Sequence, residues 1–328
     1  MRVLFLGGTG NISAEVSALM ARRGHEVTVV SRGNRPVPKE YGHIVADRHD
    51  ENSLRDAVKD WKGDAVLDFI CYKKPQAEIA HNVFKGRIAH YLFISTCMIY
   101  KKEPGRLPIT EDFPQEGRFS EYARLKIECE SYFLGVNGLD FPVTIVRPSH
   151  TLGIGKMALP LPDNGFTVPA RILAGRPVIV PNDGQSLWTI TASSDFAVGM
   201  AGLVGNSKAV GEAFHITSDQ AVTWNCVYHE IGLALGREAI VVRMPVDFMC
   251  QEYPHLEASL KSDRAKSLVF DNLKIKRFVP EFECVKSPRQ IIRDSVAWFN
   301  EDPARKAIKP EVNEMIDTLL AKWRQAQS

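Results

Sequence analysis

Tyr122 and Lys126 stand four residues apart in the run Tyr122-Ala123-Arg124-Leu125-Lys126. On a helix that spacing projects both side chains from one face. An ammonium beside a phenol favours the phenolate and lowers its pKa towards working pH, which makes the phenol a proton carrier. Twenty-six residues before Tyr122, the apolar run Tyr91-Leu92-Phe93-Ile94 ends in Ser95-Thr96. The Thr96 hydroxyl is then expected to hold the reacting oxygen beside the phenol, with Ser95 next to it and Cys97 following as a further cleft residue.

A proton carrier of this kind works with a partner that takes or gives a hydride, and the start of the chain supplies a place for one. Val3-Leu4-Phe5-Leu6 is a short apolar run, Gly7-Gly8-Thr9-Gly10 follows directly, and Ile12, Val16, Leu19 and Met20 recur at helical spacing. This is the layout of a buried parallel strand, a glycine turn and a helix whose N-terminus holds a phosphate. Gly7 allows the sharp turn, Gly10 admits a pyrophosphate close to the backbone, and Asn11 and Ile12 open the helix beside it. Ser13 replaces the third glycine of G-x-x-G-x-x-G and is the smallest polar substitute for it.

The strand Val27-Thr28-Val29-Val30 ends in Ser31-Arg32. An acidic residue at that point accepts from the ribose 2′-hydroxyl of NAD, whereas an arginine accommodates the 2′-phosphate of NADP. The cofactor expected is therefore NAD or NADP, with NADP favoured. After a third strand, Ile44-Val45-Ala46, Asp47-Arg48 is expected at the adenine end, although Asp47 is equally suited to capping the next turn.

Strands at 65–70 and 91–94 alternate with helices at 53–61 and 75–86, which predicts a doubly wound parallel α/β (Rossmann) sheet with a smaller C-terminal substrate domain. Residues 1–151 and about 178–222 are read as the dinucleotide-binding part, and about 152–177 and 223–328 as the substrate-binding part. The final stripe Val312, Met315, Ile316, Leu319, Leu320 reads as packing or an oligomer contact. Formal net charge is +2 over 328 residues, which argues against a general nucleic-acid footprint. No apolar run reaches membrane-spanning length, a strand begins at residue 2, and the six cysteines are scattered without a C-x-x-C pair. Reduced thiols, no signal peptide, no metal site and a cytoplasmic location are expected.

With GGTGNIS, ISTCMIY, YARLK, Val146-Arg147-Pro148 and Asp195-Phe196-Ala197 in place, the chain resembles an extended, atypical short-chain dehydrogenase/reductase of the NAD-dependent epimerase/dehydratase family over nearly its whole length. The resemblance implies Thr96, Tyr122 and Lys126 as catalytic residues, with Lys126 also reaching the nicotinamide ribose. It implies hydride transfer at a hydroxyl-bearing carbon of a sugar or sugar derivative, and a possible homodimer. Three departures stand out. Cys97 and Met98 occupy the acid/base positions of the 4,6-dehydratases, His150 stands where an asparagine lies near a substrate diphosphate, and Trp188 lies near an expected phosphate-binding arginine. His150 and Trp188 are then substrate-side candidates, Trp188 as an aromatic face for a sugar ring. Arg147, Arg171, Arg176 and Arg264 are candidates for a replacement charge. The competing expectation is a non-catalytic NAD(P)-binding module, or an RNA-binding protein like the chloroplast stem-loop branch of the atypical reductases.

Overall fold

The first strand buries every side chain after Arg2, so both of its faces must be covered. The structure is a computed structural model that describes residues 1–101, 106–118, 120–161 and 163–328. Its strands in the first half are β1 (Arg2–Leu6), β2 (Glu26–Ser31), β3 (Gly42–Val45), β4 (Ala65–Asp68), β5 (His90–Ile94) and β6 (Val143–Pro148). They are followed by β7 (His150–Leu152), β8 (Val178–Pro181), β9 (Leu187–Ala192), β10 (Ala213–Ile216), β11 (Ala221–Thr223) and β12 (Val241–Met244). Seven strands form one parallel sheet in the order β10-β6-β5-β4-β1-β2-β3. The order reverses between β1 and β4, and ligands of such sheets bind in the crevice outside the carboxyl ends at that reversal.

Helices α1 (Ser13–Arg22), α2 (Glu51–Ala57), α3 (Lys74–Phe84), α4 (Glu121–Val136) and α6 (Ser193–Leu203) supply the cover, while α5 (Thr167–Leu173) and α7 (Trp224–Leu235) pack in the core of the C-terminal half. On one face Val16 and Met20 of α1 and Phe196 and Met200 of α6 pack on Val3, Phe5 and Val29. On the other, Leu54 of α2, Ala80 and Phe84 of α3 and Phe133 of α4 pack on Leu4, Leu6 and Val30. The helix Pro310–Gln327 buries Val312, Met315, Ile316, Leu319 and Leu320 in the core of the C-terminal half, so this stripe serves intramolecular packing. No helix among the described residues is long and apolar enough to cross a membrane.

Two sequence expectations are corrected. The apolar run 65–70 leaves the sheet at Asp68, because the Asp68 carboxylate accepts the Ile70 N–H at 3.0 Å and turns the chain. Within the span 178–222 read as dinucleotide-binding, α6 and β10 join the main sheet, as expected of the strand 213–216, but β8 and β9 do not. β8 pairs with β12, and β9 pairs with β7 and β11, in two small separate sheets.

Buried polar groups join the strands below the crevice. His90 Nδ1 accepts from the Gly205 N–H at 3.1 Å, so Nε2–H donates to Thr144 Oγ1 at 2.8 Å, and Thr144 donates on to the Ala209 carbonyl at 2.6 Å. Arg147 donates to Tyr100 Oη at 2.7 Å, which leaves the phenol proton for His215 Nε2 and the Nδ1–H of His215 for the Asp271 carbonyl. Burial lowers His90 to about 4 and His215 to about 3. The unfolded chain takes protons on these rings from about pH 6.5 downwards, while the fold refuses them until pH 4 or 3. Stability therefore falls as pH drops through that window, by up to about 1.4 kcal/mol per pH unit for each ring. Urea unfolding at pH 6.5, 5.5 and 4.5 should show this slope, and His90→Gln should flatten it; a slope unchanged in that variant would remove His90 from the account.

Candidate active site

Helix α4 begins where the Ser120 hydroxyl accepts the Ala123 N–H at 3.2 Å, an N-cap that fixes Tyr122 in the first turn and Lys126 one turn on. Lys126 is 2% exposed. Its ammonium donates to the Cys71 carbonyl at 2.7 Å and the Ile94 carbonyl at 2.6 Å, just beyond the ends of β4 and at the end of β5. An ammonium has three donors, so one is left for a further acceptor. The rings of Phe93, Tyr72 and Tyr122 lie around Nζ, with centroids at 4.7, 5.1 and 5.8 Å. Burial lowers the Lys126 pKa, opposed by the nearby Cys71 and Cys129 thiols and the Asp68 and Glu130 carboxylates.

Tyr122 is 40% exposed, its ring open to the crevice. Burial around its hydroxyl and the nearby Tyr72 phenol push it up to about 12, and a hydrogen bond with the Thr96 hydroxyl pulls the other way. The spacing alone predicts a lowered value. The direction is reversed because burial of the hydroxyl, with the Tyr72 phenol beside it, disfavours the phenolate. Thr96 is held by accepting the Met98 N–H at 3.2 Å, the cap of the short turn Cys97–Ile99. The Ser95 hydroxyl is buried and has no partner. Cys97 points inward, its thiol donating to the Arg147 carbonyl at 3.2 Å.

A cleft of about 570 Å³ runs along the ends of β1, β2 and β4, lined by Gly7, Gly10, Ser31, Arg32, Asp47 and Tyr72 among others. Tyr72 lines this cleft and also lies over Lys126, so one ring links the cleft wall to the Tyr–Lys pair. Gly7 has φ +83°, and a Cβ there would lie 2.7 Å from Ile70, so only glycine keeps this end open. Ser13 is 2% exposed and accepts the Gly10 N–H at 2.8 Å, so it packs as a small residue and also orders the turn. Glycine turn, cleft length and the spare Lys126 donor fit a dinucleotide.

The remaining candidates divide by what their side chains already hold. Asn11 is turned away from the cleft: its Nδ2 donates to the Thr151 carbonyl at 3.0 Å and its Oδ1 accepts the Gly153 N–H at 2.8 Å. Ile12 packs on the α1 face of the sheet. Asp47 accepts the His49 N–H at 2.9 Å, and Asp50, not Asp47, caps α2. The Arg48 guanidinium is buried against Asp68, donates to the Gln76 carbonyl at 2.9 Å, and shares Asp68 with Tyr91 at 2.6 Å. That charge is unavailable to an adenosine, because pairing it is what makes its burial tolerable.

Trp188 offers no open face. It is 3% exposed, stacks on Trp224 at 5.4 Å, and its indole N–H, like that of Trp224, donates to the Arg264 carbonyl. His150 stands edge-on to both indoles at 6.0 and 6.1 Å; burial, then the Arg264 charge, lowers it to about 3, so it is neutral. Arg147 is taken by Glu130, and Arg171 and Arg176 by Asp317. Arg264 alone of the four arginines lies beside His150, its buried Nε without a partner. It rides on a π-turn, Leu260–Arg264. Tyr72 and Ile70 are site residues that the sequence reading missed, because Phe69-Ile70 looks like more strand; the polar Asp68 inside the run was the available signal.

Residues 74–217 match the family described as NAD dependent epimerase/dehydratase, and residues 2–59 match the pyridine nucleotide-disulphide oxidoreductases. A 2′-dehydrokanamycin reductase of Streptomyces kanamyceticus is 24% identical over 296 residues, covering 89% of this chain and 82% of that protein. The chloroplast stem-loop binding protein of 41 kDa b of Arabidopsis thaliana is 26% identical over 241 residues, covering 68% of this chain and 60% of that protein. Among solved structures, a UDP-glucose 4-epimerase from Thermotoga maritima, determined with UDP-glucose, superposes with a TM-score of 0.74 at 16% identity, covering 92% of this chain and 99% of that one.

Helix α4 is seated by Glu130, whose carboxylate accepts from Arg147 Nε at 3.0 Å and Nη2 at 2.6 Å with both side chains buried. Glu130→Ala leaves a buried guanidinium uncompensated and should cost about 3–5 kcal/mol in urea unfolding. Amide exchange across 121–136 should rise with it; unchanged protection there would show that the pair does not seat the helix.

Proposed function

We propose that this chain, an extended short-chain dehydrogenase/reductase of the NAD dependent epimerase/dehydratase family, is an NAD(P)-dependent enzyme that transfers a hydride at a hydroxyl-bearing carbon of a sugar or sugar derivative. The observation that carries the reading is the cleft lined by Gly7, Gly10 and Tyr72, whose Tyr72 ring also covers the Lys126 ammonium beside Tyr122. The bound nicotinamide supplies the hydride donor or acceptor. Thr96 holds the substrate oxygen next to Tyr122, and Tyr122 exchanges a proton with it. The spare Lys126 donor holds a ribose hydroxyl, and the ammonium stabilises the phenolate once the proton has left.

The high pKa of Tyr122 favours the direction in which a carbonyl is reduced, since the resting phenol already carries the proton to be given. Carbonyl reduction should be nearly independent of pH between 6 and 9, while alcohol oxidation, which needs the phenolate, should rise with pH towards about 12. Tyr122→Phe should abolish both while leaving cofactor affinity nearly intact, and a variant that kept most of its turnover would remove Tyr122 from the mechanism.

For the cofactor, Ser31 and Arg32 in place of a carboxylate at the end of β2 support NADP binding at least as well as NAD. Arg32→Ala should weaken NADP selectively, by about 1–3 kcal/mol for a lost charge-assisted hydrogen bond. Calorimetry showing clear NAD preference in the unmodified protein would overturn this. For the substrate, Arg264 is the single candidate arginine beside His150, which supports a substrate held without a full diphosphate clamp. Titration of UDP-, GDP- and dTDP-sugars should show no micromolar binding; such binding, lost in Arg264→Ala, would restore the ordinary nucleotide-sugar reading. A second reading, RNA binding without catalysis, draws on the likeness to the stem-loop binding protein, and the net charge of +2 weighs against it.

A further inference from the structure

β3 is the last strand of the sheet, so beyond it the end of the cleft is open on one flank. β2 and β3 run parallel, with Val29 opposite His43 and Ser31 opposite Val45. His43 therefore stands on the same face of the sheet as Ser31, one pleat lower, and its exposed ring reaches up to it. His43 Nε2 lies 3.0 Å from Ser31 Oγ, and the Gly33 N–H donates to the same oxygen at 3.2 Å. On the other flank Arg35 reaches back over the glycine turn to the Thr9 carbonyl at 3.4 Å, which draws the loop after β2 across the cleft mouth. Ser31, Arg32 and Arg35 all line the cleft. None of the ion pairs among the described residues takes up Arg32, Arg35 or His43.

From this arrangement we infer that His43 is a positioning residue of the subsite for the adenosine 2′-phosphate: its Nε2–H and the Gly33 N–H hold Ser31 Oγ so that the hydroxyl proton is left for the phosphate, while Arg32 and Arg35 face the same group from the loop. The inference rests on the NADP reading above. A phosphate monoester brings about −1.5 to −2 charge and three acceptor oxygens, more than one guanidinium satisfies. The Ser31 hydroxyl, its oxygen already met by His43 and Gly33, supplies the missing donor. Nothing else in the fold needs the contact, since His43 is exposed and on an edge strand.

Adenosine 2′,5′-bisphosphate and 5′-AMP differ by the 2′-phosphate alone, so their calorimetric dissociation constants isolate the subsite without turnover. His43→Ala should weaken the bisphosphate about five- to tenfold and leave 5′-AMP within about twofold, with His43→Gln, which keeps an N–H donor, recovering part of the loss. If the unmodified protein does not prefer the bisphosphate, the NADP reading fails and this inference with it. If the preference is present and Arg32→Ala erases it while His43→Ala leaves it whole, His43 is no part of the subsite and the NADP reading stands.

Discussion

A charged amine with almost no access to water is the constraint on which this site is built. Lys126 sits under the ends of two neighbouring strands and satisfies one carbonyl from each. A buried ammonium is tolerated only where its donors are met, so the turn after β4, the end of β5 and the first turns of α4 must keep one mutual geometry. Tyr122 takes its place one turn earlier on the same helix, and Tyr72 closes over the amine from the β4 turn. The surroundings of Tyr122 are thus shaped by the needs of one amine.

Two further charges are buried close by. Arg48 with Asp68 lies under the dinucleotide cleft, and Arg147 with Glu130 lies under the Thr96 turn. Both arginines sit at strand ends facing the crevice, where sequence alone makes them look free for ligand phosphates. Pairing withdraws them, and among the described residues that line the cleft Arg32 and Arg35 stay outside any ion pair.

The parts written in local pattern were legible beforehand. The strand–glycine–helix start, the alternation into a doubly wound sheet and the Tyr122–Lys126 spacing all rest on contacts between near neighbours in sequence, and the sheet and its helices formed as expected. What could not be read depends on partners far along the chain. Trp188 is hidden by Trp224, Arg48 is claimed by Asp68, and Asn11 bonds to Thr151 and Gly153. The direction of the Tyr122 shift belongs to the same class, since it turns on burial and on the Tyr72 phenol, fifty residues earlier in the chain. Within the span 178–222 read as dinucleotide-binding, β8 and β9 fall outside the main sheet, because a β-branched run carries no mark of which strand it will pair with.

The Asn11 amide has a consequence for how the two halves of the molecule communicate. Both of its polar ends are fastened to β7 and the residue just after it, and its backbone belongs to the turn between β1 and α1. The joint has no slack: a displacement of the glycine turn of even an ångström must either drag residues 151–153 along or break two hydrogen bonds at once. The glycine turn and the end of β7 are thereby fastened into one mechanical unit by a single side chain, although more than a hundred residues separate them in sequence.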